Sequence, residues 1–130
     1  MNKLVVNQIS GINTLLTGVE EPLTKRQRQI LNEVAAAPYE QNESFYYIYR
    51  SLSAKAAKLG CEIIKRKPFK QKNDLTALVS ALTMLKINGV RLTDYRNDIG
   101  KLLDCFAADD LKGAEKWMDS HKSTDRKQRK

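Results

Sequence analysis

Between Asp74 and Asn88 the chain sets apolar residues three and four positions apart, at Leu75, Leu78, Val79, Leu82, Leu85 and Ile87, with small Ala77, Ser80 and Ala81 between them. A strand with one buried face needs a period of two, so this spacing commits the segment to a helix. The apolar face is wide enough to need cover on more than one side, which predicts the central, most buried helix of a bundle. Gly89 stands where a helix closes through the left-handed region. Similar intervals recur along most of the chain and sustained alternation is scarce. The predicted fold class is therefore all-α, a single-domain bundle of about six helices.

A first helix is predicted over about Lys3 to Leu16, with Val6, Ile9, Ile12, Leu15 and Leu16 on one face and Thr17-Gly18 as its end. Thr24 suits the N-cap of a second, Lys25 to Ala37, whose stripe is Ile30, Leu31, Val34 and Ala35 and whose stop is Pro38. The longest helix is predicted over about Ser44 to Lys65. It would carry an aromatic cluster, Phe45, Tyr46, Tyr47 and Tyr49, which reads as core or dimer surface in preference to a base-stacking platform. Thr93 or Asp94 would cap a further helix through Leu102, Leu103 and Phe106, and Asp109 and Asp110 would open a last one over about Asp110 to Ser120, with Leu111, Ala114, Trp117 and Met118 inward.

The 130 residues suffice for one domain with a real core, assigned to 1–121. The last nine residues, 122–130, leave +4 of the chain's +8 net charge in a polar stretch without apolar anchors, read as a disordered basic tail. No apolar run approaches the roughly 20 residues of a membrane span, and the short apolar stretch after Met1 meets Asn7 and Gln8 too early for a signal-peptide core. The expected location is cytoplasmic, with no membrane association. Cys61 and Cys105 are far apart and outside any Cys-x-x-Cys spacing, so both are expected as buried free thiols. His121 is the only histidine and has no ligand cluster around it, so no metal and no cofactor are assigned.

The run Lys67-Pro68-Phe69-Lys70-Gln71-Lys72-Asn73-Asp74-Leu75-Thr76-Ala77-Leu78, with Asn88-Gly89 at the far end of its helix, resembles the active-site segment of the Fic/Doc family. The family signature reads His-Pro-Phe, two residues, Gly or Ala, Asn, Lys, Arg, Thr-Ala, then a helix ending in Asn-Gly. The resemblance covers roughly Ser53 to Leu92 and is most similar to the Doc branch, the small toxins of phage and plasmid addiction modules. It implies that Phe69 anchors the loop in the core and that Asn73 shapes an anion-binding turn.

The chemical letters differ. Lys67 stands at the position of the catalytic His, and a solvent-exposed lysine is protonated at neutral pH and cannot act as the base. Lys72 replaces the small residue that lets phosphate approach the backbone, Asp74 replaces Lys or Gly, Leu75 replaces the phosphate-gripping Arg, and Gln71 replaces the acidic metal ligand of the nucleotide-transferring branch. Lys67, Lys70 and Lys72 would surround the helix N-terminus at Asn73 with positive charge, while Asp74 in the first turn opposes an anion there. Thr17 to Glu21 has the outer spacing of the family's regulatory helix but runs into Pro22, and is taken as coincidence.

These features lead to a catalytically inactive or strongly diverged Fic/Doc-fold protein, a binding module or inhibitor in phage, plasmid or host conflict. Its expected partner is a protein with an acidic surface, held by Lys65, Arg66, Lys67, Lys70, Lys72 and Asn73. Two other classes stay open: a diverged Doc-like toxin transferring phosphate or a nucleotide to a protein target, and a nucleic-acid-binding protein using the loop lysines, Lys25, Arg26, Arg28 and the tail.

Overall fold

A computed structural model describes residues 1–123. Among the described residues six α-helices form one all-α bundle: α1 (Val6–Thr17), α2 (Lys25–Ala36), α3 (Leu52–Arg66), α4 (Asn73–Ile87), α5 (Ile99–Ala107) and α6 (Leu111–Ser120). Short 3-10 turns at Ala37–Tyr39 and Arg96–Asp98 lead out of α2 and into α5. Among the described residues the extended pairing is limited to two isolated bridges, Gln41 with Tyr47 and Leu92 with Lys122. No described helix is long and apolar enough to cross a membrane.

Helix α3, not α4, is the hub. It packs on α2, α4, α5, α6 and the 3-10 turn that follows α2, and it buries Ala56, Ala57, Leu59, Gly60, Cys61 and Ile63. Small residues permit that position. A Cβ added at Gly60 would lie 2.4 Å from the Phe106 ring, so α5 sits against bare α3 backbone at this point. On α4 the predicted stripe is only partly inward: Leu78 and Leu85 are buried, whereas Leu75 is exposed. Ala77, Ala81, Thr76 and Ser80 form much of the buried face, and the apparent all-round hydrophobicity includes a surface-facing edge.

Cap chemistry explains most boundaries. The Thr24 hydroxyl accepts the Gln27 amide at 3.1 Å and the Gln27 side-chain carbonyl accepts the Thr24 amide at 2.8 Å, a reciprocal box that starts α2 one residue after Thr24. Ser51 caps α3 by accepting the Ala54 amide at 2.9 Å, and Asp110 caps α6 by accepting the Gly113 amide at 2.9 Å. Gly18 and Gly89 end their helices at φ +75° and +83°.

The predicted helix from Ser44 is corrected here: residues 44–50 form a turned loop, and α3 starts at Leu52. Asn42 is the local cause. Its side-chain oxygen accepts the Ser44 and Tyr46 amides at 2.9 and 3.1 Å, and its own amide donates to the Tyr46 carbonyl at 2.8 Å, offering the backbone an alternative to the helical ladder. The ammonium of Lys55 then takes the Tyr49 and Arg50 carbonyls at 2.6 and 3.0 Å. The helix predicted from Thr93 or Asp94 likewise begins later, at Ile99. The Thr93 amide donates to the His121 carbonyl and the Ser123 amide to the Arg91 carbonyl, each at 2.8 Å, so the segment before α5 is tied to the end of α6. Lys122 and Ser123, assigned to the tail from sequence, take part in this pairing; the rest of the tail, 124–130, lies outside the described residues. Cys61 is buried as expected, whereas Cys105 is only half-buried.

Candidate functional site

The segment Lys67 to Lys72 links α3 to α4 and is fixed at both ends by residues in the left-handed region, Lys67 at φ +45° and Lys72 at φ +55°. A side chain at positive φ costs on the order of 1 kcal/mol, so the surroundings must hold this shape. They do so from three directions: the core together with the start of α4, helix α1, and the α1–α2 connection. Pro68 and Phe69 are buried, with Phe69 only 5% exposed in the main core. Asn73, at the start of α4, accepts the Phe69 amide at 3.0 Å and donates to the Phe69 carbonyl at 2.8 Å, closing the loop on itself. Asn13 of α1, itself buried, donates to the Gln71 carbonyl at 2.9 Å and to the Thr76 hydroxyl at 3.1 Å.

The third direction is the α1–α2 connection. Gln27 donates to the Pro68 carbonyl at 3.0 Å, the Lys70 amide donates to the Glu21 carboxylate at 3.0 Å, and Gln27 also donates to Glu21. Glu21 thus lies beside Thr17, Pro22, Lys70 and Gln71 in a shallow recess of about 130 Å³. Its oxygens occupy backbone and amide donors that an incoming anion would need.

The six predicted binding residues fall into three groups. Lys65 is ion-paired with Glu62 at 3.3 Å and with Asp109 at 3.1 Å, and these hydrogen bonds hold its ammonium above the ordinary lysine value. Arg66 is paired with Glu33 at 2.6 Å, and that bond is the main reason the Glu33 carboxyl lies below its usual range. Lys72 donates to the Leu16 carbonyl at 3.1 Å, and Asn73 serves the Phe69 backbone. Lys67 and Lys70 remain as exposed ammonium groups without an ion pair among the described residues. At the first turn of α4, the Asp74 carboxylate accepts the Leu75 amide at 2.8 Å, so a donor that would face an anion is already engaged.

Protein-family models, curated proteins and solved structures offer no match to this chain.

Neither thiol is activated by its surroundings. Burial, with the Asp109 charge second, pushes the Cys61 thiol up to about 12, and burial likewise raises Cys105. Among the described residues, no group of three or more His, Cys, Asp and Glu side chains is arranged to hold a metal ion. Sequence reading found the loop but missed three residues that shape it: Asn13, Glu21 and Gln27. Asn13 had a visible signal, a polar side chain inside the apolar face that begins at Ile9. Glu21 gave no comparable signal, and the structure sets it in one recess with Thr17, Lys70 and Gln71.

Proposed function

We propose that this protein is a non-catalytic binding module on a Fic/Doc-like helical scaffold, and that the Lys67–Lys72 loop holds a protein partner through an acidic surface. One observation carries the reading: the loop backbone is fixed by Asn13, Glu21, Gln27 and Asn73, while the side chains of Lys67 and Lys70 are exposed and form no ion pair among the described residues. A cationic surface built on backbone that is already ordered loses little entropy when a partner arrives. Exposed charges of this kind mainly raise the association rate and select for a complementary potential.

Catalysis is disfavoured by the same geometry. Lys67 occupies the position at which the resemblance requires a base, and Glu21 and Asp74 place carboxylates against the amides that would receive phosphate. Of the six residues first considered for binding, the reading retains Lys67 and Lys70, because Lys65, Arg66, Lys72 and Asn73 serve internal contacts.

The test is affinity capture from the native host with wild-type protein and with Lys67→Glu/Lys70→Glu, after the two are shown to share a thermal midpoint. The expected result is one stoichiometric protein held by wild type and lost from the variant. Capture of nucleic acid alone, or of the same proteins by both forms, overturns the reading. Micromolar ATP binding in a calorimetric titration overturns it in favour of a diverged transferase.

A further inference from the structure

On the α3 side of the bundle, the loop at 42–49 turns its apolar side chains outward. Phe45 is 79% exposed, Tyr46 64%, Ile48 49% and Tyr47 40%. Lone surface apolar residues need no explanation, but four consecutive ones do. The loop is also not loosely hung. Asn42 binds four of its backbone groups, the Ile48 amide donates to the Glu40 carbonyl at 2.9 Å, and the Lys55 ammonium lies 4.4 Å from the centre of the Tyr47 ring while capping two carbonyls at the loop's end. At the tip Phe45 sits at φ +66°, a conformation that glycine or asparagine fills without strain. A bulky ring is therefore held, against local preference, where it meets solvent.

Next to the loop, between its far end and the start of α6, is an apolar recess of about 440 Å³ lined by Ile48, Arg50, Ala54, Leu111, Lys112 and Glu115 among others. It is large enough for an aromatic side chain. Its rim carries exposed Arg50 and Lys112 beside the half-buried Glu115, whereas exposed Glu43 lies on the loop two residues before Phe45. The recess thus has room for the ring at the tip, and Glu43 and Lys112 carry opposite charges. They are on the same chain but face outward, so the simplest way to satisfy both is across a two-fold axis, where each copy supplies one of each.

We infer that the aromatic loop is a homodimer surface, in which Phe45 of each copy enters the Ile48–Leu111 recess of the other and Glu43 faces Lys112 across the junction. With about 200 Å² for a fully exposed ring, the loop's exposed fractions amount to on the order of 450 Å² of apolar surface per copy. An isologous pair therefore covers roughly 1,000 Å² with its rim, the lower bound for a specific interface. The Glu43 carboxylate disfavours the other occupants, since a phosphate backbone or anionic headgroup would meet negative charge beside the inserting ring.

Sedimentation velocity over a dilution series reads this directly. Wild type is expected to move reversibly between monomer and dimer, and Phe45→Ser to weaken dimerisation about tenfold or more without moving the thermal midpoint at concentrations where both proteins are monomeric. Glu43→Lys and Lys112→Glu should each weaken the dimer, and the double variant should restore it. A wild type that stays monomeric throughout, a dimer indifferent to Phe45→Ser, or a double variant no better than its parents overturns the inference. A monomer whose Phe45 is instead needed to bind anionic vesicles or a single-stranded oligonucleotide overturns it as well and assigns the loop to that ligand. None of these readouts involves Lys67 or Lys70, so this inference and the proposed function fail separately.

Discussion

The loop at 67–72 and the loop at 42–49 solve opposite problems with the same kinds of residue. The first buries Pro68 and Phe69 and leaves lysines outside. The second buries the ammonium of Lys55 beneath it and leaves Phe45, Tyr46 and Ile48 outside. Both contain bulky residues at positive φ, and both are held by asparagine side chains bonded to loop backbone, Asn73 in one and Asn42 in the other. The difference lies in what the rigidity supports. One loop is welded to the core by its apolar side chains and offers charge; the other is held by backbone hydrogen bonds and by the packing of Tyr47 against Lys55 and Tyr39, so Phe45, Tyr46 and Ile48 are left to meet something outside the chain.

A pair of phenylalanine truncations breaks that comparison most sharply. Phe69→Ala removes a ring from the main core and should cost about 3–5 kcal/mol of unfolding free energy. Phe45→Ala removes the same atoms from solvent and should change stability by less than about 0.5 kcal/mol at concentrations where the protein is monomeric. Urea denaturation of the two variants settles it, and equal losses would mean that the 42–49 loop is packed in solution.

Next in size is Asn73→Ala. It strips the Phe69 amide and carbonyl of their partner, in a partly buried position, and should cost about 2 kcal/mol. Because Asn73 acts on the loop backbone, the loss should be accompanied by faster amide exchange at Phe69 and Lys70 while the loop at 42–49 keeps its protection. Uniform acceleration in both loops would show that the two are one cooperative unit.

How far these loops were visible in the sequence depended on where their hydrogen bonds originate. Thr24, Asp110 and Gly89 announce helix ends because a cap is a local event, and α2, α4 and α6 fall within a residue or so of their expected bounds. The run at 44–50 fails the same reading. Phe45, Tyr46, Tyr47 and Leu52 have acceptable helical spacing, and nothing local says that Lys55 will bond to the Tyr49 and Arg50 carbonyls or that Asn42 will fold the chain back. The lysine loop was legible through Pro68, Phe69 and Asn73. What could not be read was that Lys65 meets Asp109 and Arg66 meets Glu33, contacts spanning tens of residues that convert apparent binding groups into internal ion pairs. The rank of α3 and α4 was misjudged for a related reason. Burial on α3 rests on Ala56, Ala57 and Gly60, whose small side chains give little apolar signal but allow close approach.

Lys55→Met sharpens the contrast on the aromatic side, with an expected loss of about 1–2 kcal/mol. The variant leaves the Tyr49 and Arg50 carbonyls without their donor, partly offset by the relief of a desolvated charge. Burial lowers the Lys55 ammonium from its ordinary value. Between that lowered value and the normal lysine range the unfolded chain binds a proton that the folded chain lacks, so this group makes unfolding free energy rise with pH across that window. The stability of wild type relative to Lys55→Met should therefore increase as the solution is made alkaline. A relative stability that falls instead would mean that the charged form is the one the folded loop favours.

The smallest effect has the opposite sign. Glycine adopts φ +66° without the Cβ clash that Phe45 suffers, while it widens the unfolded ensemble, so Phe45→Gly should stabilise the monomer by about 0.5 kcal/mol relative to Phe45→Ala. Both variants lack the ring, so the difference isolates the backbone and is independent of any dimer contact. If glycine is no better than alanine, the strained turn relaxes when the ring is removed, and the ring itself must then be what holds the tip. If glycine is better, the strain belongs to the Asn42 hydrogen-bond frame, which keeps the position left-handed whatever side chain it carries. In that case the aromatic residue is kept at the tip for a contact outside the monomer, and the backbone cost is the measurable trace of that contact.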